Sequence, residues 1–149
     1  MKTVSKTLLK VSRRAQSCVG RIVQKHNLTI AEQPFLLTIR FQDGLTQEEL
    51  SELVGVDRAL TTRVIQSLEK KGLIRKERDA RDRRYHHIFA NDALYQLADT
   101  IIPELFAFND AATAGISQEE LAQMVHTLQR LESNISNYIK VLDAEKARR

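Results

Sequence analysis

Residues 46–90 constrain the fold more than any other part of the chain. Thr46-Gln47-Glu48-Glu49 has the spacing of a capping box, in which a threonine and the glutamate three positions on satisfy each other's free backbone N–H groups. It opens a short helix through Leu50, Leu53 and Val54 that Gly55 stops. Asp57 caps the next helix, and Gly72 supplies the residue past its end. In that helix Leu60, Thr61, Val64, Ile65 and Leu68 share one side, while Arg58, Thr62, Arg63 and Gln66 face away. Two helices joined by a turn of about three residues, with small Ser51 where they cross, have helix-turn-helix spacing. Leu73 to Arg78 and Tyr85 to Ala90 then read as short strands around the polar turn Asp79-Ala80-Arg81-Asp82-Arg83, and they should pair as a hairpin.

The flanks read as helices. Val4, Leu8, Val11, Ala15, Cys18 and Ile22 step by four and three in turn, a heptad-like seam on an otherwise basic helix that needs a partner to cover it. Thr29 and Glu32 repeat the capping-box spacing, and Pro34 fixes the backbone near the start of a second helix over about 30–42. Asn91 or Asp92 caps a fifth helix carrying Leu94, Leu97, Ile101, Leu105 and Phe108, with Pro103 expected to kink it. Ser117 to Glu120 is a third capping box. It leads into a stripe of Leu121, Met124, Leu128, Leu131, Ile135, Tyr138 and Leu142 on a helix of about 25 residues. At ~1.5 Å per residue that helix outruns a small globule, so part of its stripe should meet another chain.

Charge is divided unevenly along the 149 residues. Residues 1–84 hold 18 Lys/Arg against 10 Asp/Glu, and residues 85–149 hold 5 against 9. Residues 1–31 carry seven Lys/Arg and no acid, and Arg75 to Arg84 packs six Lys/Arg into ten positions. Such clusters are footprints for a polyanion. No apolar run approaches the ~18 to 20 residues of a membrane-spanning helix. The basic start resembles an organelle transit segment, but its apolar spacing continues to Ile22, past a cleavage point. Cys18, the single cysteine, allows no internal disulfide and suits a reducing cytoplasm, where the chain is expected to work.

A helix of this kind followed at once by a basic hairpin implies a helix in the major groove of duplex DNA and hairpin arginines at the backbone or minor groove. Thr62-Arg63, Leu68-Glu69-Lys70-Lys71-Gly72-Leu73-Ile74 and above all Asp79-Ala80-Arg81-Asp82-Arg83-Arg84 resemble the helix-to-wing signature of the multiple-antibiotic-resistance regulator (MarR) family of winged helix-turn-helix repressors. Two departures stand out: Ala90, Asn91 and Leu94 replace a Leu-Thr pair and a glycine after the wing, and Pro34-Phe35 shifts an aromatic of the second helix. The resemblance implies a mainly α fold with a small two- to three-stranded β wing and long N- and C-terminal dimerisation helices. It implies a single domain over 1–149, with 1–28 and 91–149 as the helical dimerisation region and 29–90 as the winged helix-turn-helix. It also implies a homodimeric repressor on a palindromic operator, released by a small ligand of the aromatic-acid class.

Thr62 and Arg63 then become groove contacts, Arg84 the wing arginine in the minor groove, and Asp82 the carboxylate that orients the wing. The full expected DNA-contact set is Arg58, Thr61, Thr62, Arg63, Gln66, Arg81, Arg83 and Arg84. Arginine suits this role because its rigid fork of donors matches phosphate or guanine, whereas an acid between arginines repels DNA unless it pairs internally. The rival reading is a winged-helix dimer that serves as a protein interaction scaffold without binding DNA.

Cys18, in the apolar seam, is expected to pack rather than to sense peroxide, because a reactive thiol needs an exposed electropositive setting. His86 and His87 are adjacent in a strand, point to opposite faces and cannot share a metal. His26 and His126 read as plain surface or interface residues. No nucleotide-binding glycine loop, nucleophile elbow or paired Cys-x-x-Cys is present, so no catalytic residue, metal or cofactor is assigned, and no residue is assigned to an effector.

Overall fold

The computed structural model describes residues 4–148. Its elements are α1 (Val4–Gln24), α2 (Glu32–Phe41), β1 (Leu45–Thr46), α3 (Gln47–Val54), α4 (Arg58–Lys70), β2 (Ile74–Arg78), β3 (His86–Ala90), α5 (Asp92–Ala112) and α6 (Gln118–Ala147). It is a mainly helical chain with one three-stranded antiparallel sheet in the order β1-β3-β2, the architecture of a winged helix-turn-helix. The chain divides into two compact units, one up to Phe108 and one from Asn109 onward, so the division falls within α5.

Local chemistry sets the ends of the central helices. The Thr46 hydroxyl accepts from the Glu49 amide while the Glu49 carboxylate accepts from the Thr46 amide at 2.7 Å, which completes the capping box of α3. Gly55 closes α3 at φ 74°, a left-handed conformation that a side chain would strain. The buried Ser51 hydroxyl donates to the Val56 carbonyl at 2.6 Å and staples the turn into α4, where the Asp57 carboxylate caps Leu60 at 2.7 Å. The sheet pairs Ile74 with Ala90, Lys76 with Ile88 and Arg78 with His86, and β1 adds Leu45 opposite Ile88. Tyr85, expected in a strand, lies instead in the connecting loop, where the Asp79 amide donates to its carbonyl at 3.0 Å.

One core serves the first unit. Phe35, Leu36 and Ile39 of α2, Leu50 of α3, Ile65 and Leu68 of α4, Ile88 of β3 and Leu94, Ala98 and Ile101 of α5 are all at most 1% exposed. The apolar face expected of α5 is met, and the helix runs on through Pro103. Asn91 does not cap it with its side chain: the amide donates to the Gly72 carbonyl at 3.0 Å and ties the end of α4 to the start of α5. In α1 the residue that enters the core is Val23, with Val19 packed beside it, one position round from the expected seam. Val4, Val11 and Cys18 of that seam are exposed within the chain, so its own fold does not bury the cysteine.

Glu32 does more than cap α2. Its carboxylate accepts from the Thr29 amide at 2.7 Å, from the Ser67 hydroxyl at 2.6 Å and from the Lys71 ammonium at 2.9 Å, and the Lys71 ammonium also donates to the Asn27 carbonyl at 2.6 Å. A carboxylate this buried would strongly favour its neutral form. Burial does push its pKa up, but the hydrogen bonds from Lys71, Ser67 and Thr29 outweigh that and hold it below the ordinary 4.5. The polar cluster therefore locks the C-terminal end of α4 to the start of α2. The Ser67 and Lys71 arms of this lock are not sequence-local, because they lie 35 and 39 positions away.

The second unit contains α6, whose capping box joins Ser117 and Glu120. At 30 residues it is longer than expected, and it has no buried residue. Met124, Leu128, Ile135, Tyr138 and Leu142 of the expected stripe are all exposed.

Removing the cation of the buried lock should cost about 2 to 3 kcal/mol in Lys71→Met, read from urea unfolding at neutral pH. A group whose folded pKa is depressed stabilises fully above its unfolded value and loses that contribution as pH falls through the folded one. The stability gap between the parent chain and Glu32→Gln should therefore close as the solution is acidified below pH 4.5.

Candidate nucleic-acid interface

Helix α4 presents two chemistries. Its inner side carries Val64, Ile65 and Leu68 into the core, and Arg58, Arg63 and Gln66 are exposed on the other. Thr62 is half-buried; its hydroxyl donates to the Arg58 carbonyl at 2.9 Å and accepts from the Gln47 side-chain amide. Arg58 is paired with Glu48 of α3. The Arg63 side chain makes no hydrogen bond or ion pair among the described residues, which leaves its donors available.

Thr61 has to leave the expected contact set. It is fully buried, and its hydroxyl donates back to the Asp57 carbonyl at 2.8 Å. Its place on the apolar side of the helix, between Asp57 and Ile65, explains this: no ligand reaches it without unfolding α4.

The loop 79–85 is ordered by two carboxylates. Asp79 accepts from the amides of Arg81 at 2.7 Å and Asp82 at 2.9 Å, and the imidazole Nε2 of His87 lies 2.8 Å away. Hydrogen bonds from the Asp82 amide, from His87 and from the Arg81 amide lower the Asp79 pKa to about 2. Asp82 accepts from the Arg84 amide at 3.0 Å and holds its guanidinium in a fork, with Nε at 3.0 Å and Nη2 at 2.7 Å. That fork, with the Arg84 amide, also depresses the Asp82 pKa. Charge-assisted bidentate pairs of this kind fix direction as well as distance. Arg81 and Arg83 are exposed, and their side chains make no ion pair among the described residues.

The expected residues converge in part. Arg58 of α4 and Arg84 of the loop line one cleft together with Thr46, Gln47, Glu48, Tyr85 and His86. Gln47, Glu48, Asp79 and His87 escaped the expectation from sequence. Gln47 and Glu48 had been absorbed into a capping motif, and Asp79 and His87 find each other only across the folded loop. The two adjacent histidines do diverge: His87 is half-buried and hydrogen-bonded at both ring nitrogens, while His86 is exposed. His26 is not a plain surface residue, since its Nε2 lies 2.8 Å from the Glu104 carboxylate, which Lys25 also contacts at 3.0 Å.

Residues 28–86 match the MarR family. The uncharacterized HTH-type transcriptional regulator YybA of Bacillus subtilis (strain 168) is 28% identical over 131 residues, which cover 85% of this chain and 87% of that protein. A structure of a MarR family transcriptional regulator from Listeria monocytogenes complexed with 26mer DNA superposes with a TM-score of 0.86 at 26% identity, over 92% of this chain and 91% of that one. The structure of the transcriptional regulator SlyA gives a TM-score of 0.85 at 26% identity, over 91% and 96% of the two chains.

Because the Thr61 hydroxyl bonds a carbonyl that already accepts the helical amide of Thr61, Thr61→Val should change stability by less than about 1 kcal/mol in urea unfolding.

Proposed function

We propose that this chain, whose residues 28–86 match the MarR family, is a regulator of that family and acts as a homodimeric repressor that occupies a palindromic operator and leaves it when a small ligand binds. The likeness to DNA-binding transcriptional regulators supports that reading over an enzyme. The observation that carries the DNA-facing half of the proposal is the pairing of an exposed polar side on α4 with a wing loop that two carboxylates hold in shape. In this proposal Arg63 and Gln66 read base edges in the major groove, with Thr62 and Arg58 beside them. Arg84 enters the minor groove, Arg81 and Arg83 meet phosphates, and Asp82 aims the wing. The scaffold reading is not favoured, because cations left unpaired on α4 and the wing suit a polyanion rather than an apolar partner.

The dimer half rests on the apolar residues left exposed along α1 and α6. Residues 1–28 and 91–149 form the dimerisation region of the single functional domain, and the covering partner is a second copy of the chain. The effector class is a small aromatic acid. A groove lined by Gln16, Gly20, Arg21, Gln24, Leu28 and Ile30 offers one cation beside apolar side chains, as such an acid requires. Action in the cytoplasm completes the proposal.

Sedimentation should give twice the chain mass, and a monomer at micromolar concentration would contradict the dimer. Fluorescence anisotropy with labelled duplexes tests the division of labour between helix and wing. Arg63→Ala should cost about 1 to 3 kcal/mol on the preferred site and less on random DNA, so specificity shrinks. Arg84→Ala should weaken all sequences and lower the salt slope by ~1, while preference among sites persists. Asp82→Ala should weaken binding although it deletes a negative charge, and tighter binding at fixed salt would reduce the wing to a charge patch.

A further inference from the structure

His87 sits in β3, the middle strand, with Thr46 of β1 opposite it on one side and Glu77 of β2 on the other. Its Nδ1 lies 2.8 Å from the Gly44 carbonyl and its Nε2 lies 2.8 Å from Asp79 Oδ2. A carbonyl oxygen can only accept, and so can an ionised carboxylate. A neutral imidazole has one N–H and one lone pair, so it would turn that lone pair toward an acceptor at one end. Only the imidazolium donates at both ends. We propose that His87 is a positioning residue for duplex binding, an imidazolium strut between the base of the wing and the turn before β1, which makes the grip on DNA depend on pH. The proposal rests on the DNA-binding function above.

Both ends of the strut are anchored. Asp79 also accepts the amides of Arg81 and Asp82, so it holds the segment that carries Arg81, Arg83 and Arg84. Gly44 donates its amide to the Ile88 carbonyl at 2.9 Å and takes a φ of 79° against the ring of Phe89. The strut thus fastens the wing to the turn that leads through β1 into α3. The charged groups that act on the ring are Asp79 from the loop and Glu49 from α3, both acids; Glu77, opposite in β2, is paired with Arg75, and β1 offers the uncharged Thr46. The hydrogen bond to Asp79, then the one to Gly44, pushes the His87 pKa above 6.5. A raised pKa means that the bond is complete below 6.5 and is lost as pH rises through the folded value. DNA affinity should therefore fall on the alkaline side.

Two measurements on the full chain test this. Long-range nitrogen–proton correlation spectra of the free protein should show both His87 nitrogens protonated, with a midpoint above 6.5. Duplex anisotropy at constant ionic strength should show binding weaken about three- to tenfold over the pH unit above that midpoint, since only the protonated fraction is competent. His87→Gln should flatten that part of the profile. A His87 midpoint at or below 6.5 would overturn the strut, and so would an unchanged profile in His87→Gln. If His87→Gln fails to fold, Asp79→Asn takes its place and should move the midpoint down; an unmoved midpoint overturns the proposal. The spectra need no DNA, so a raised midpoint with no duplex bound at any pH would sustain the strut and overturn the proposed function.

Discussion

A loop that concentrates arginine is held in one shape by two aspartates. Six Lys/Arg lie within residues 75–84, and like charges at that density repel each other and favour an extended, mobile chain. Asp79 gathers two backbone amides and an imidazole, and Asp82 gathers an amide and a guanidinium, so the loop closes around acceptors rather than spreading away from its own charge. Without those carboxylates the hairpin would still have strands, because β2 and β3 pair on their own register. What it would lose is a defined direction for the cations at its tip.

The same logic operates on the far side of the helix-turn-helix. Glu32 is a buried charge with three partners: the start of α2 through Thr29, α4 through Ser67, and the end of α4 through Lys71, which also reaches the Asn27 carbonyl. Asn91 joins that end of α4 to α5 through Gly72. Helix α4 is therefore capped by Asp57 at one end and tied by side chains at the other, and its outward face inherits its orientation from groups that never approach a ligand. Replacing such a buried ionic group with apolar side chains can preserve stability, but it removes the directional information.

The elements that were legible in the sequence are the ones whose signals are closed within a few residues. The boxes Thr46-Glu49 and Ser117-Glu120 and the cap Asp57 each form the hydrogen bonds that their spacing implies. The wing's Asp82–Arg84 fork spans only two residues, but the role of Asp82 came from the resemblance and not from spacing. The misreadings have causes as well. The side of α1 that enters the chain's own core, Val19 and Val23, went unread because it lies beside a seam that the spacing assigns to a partner. Asn91 abandons its cap for a carbonyl 19 positions back, and His87 finds Gly44 across 43 positions. Periodicity cannot register pairings of that length, since neither partner alters the local pattern of the other.

In the proposed DNA-contact set Arg58 is not free at the outset, because Glu48 already pairs with it. A phosphate that recruits Arg58 must first displace a carboxylate, and that exchange is the same whichever sequence the phosphate belongs to. The pair thus works as a built-in decoy that discounts every encounter equally. Such a discount lowers the affinity of every encounter by the same factor, and so shortens each stay on a wrong site. The ratio between right and wrong sites is left to the groups that reach base edges, and the Glu48 pair sets only how strongly the chain grips any of them.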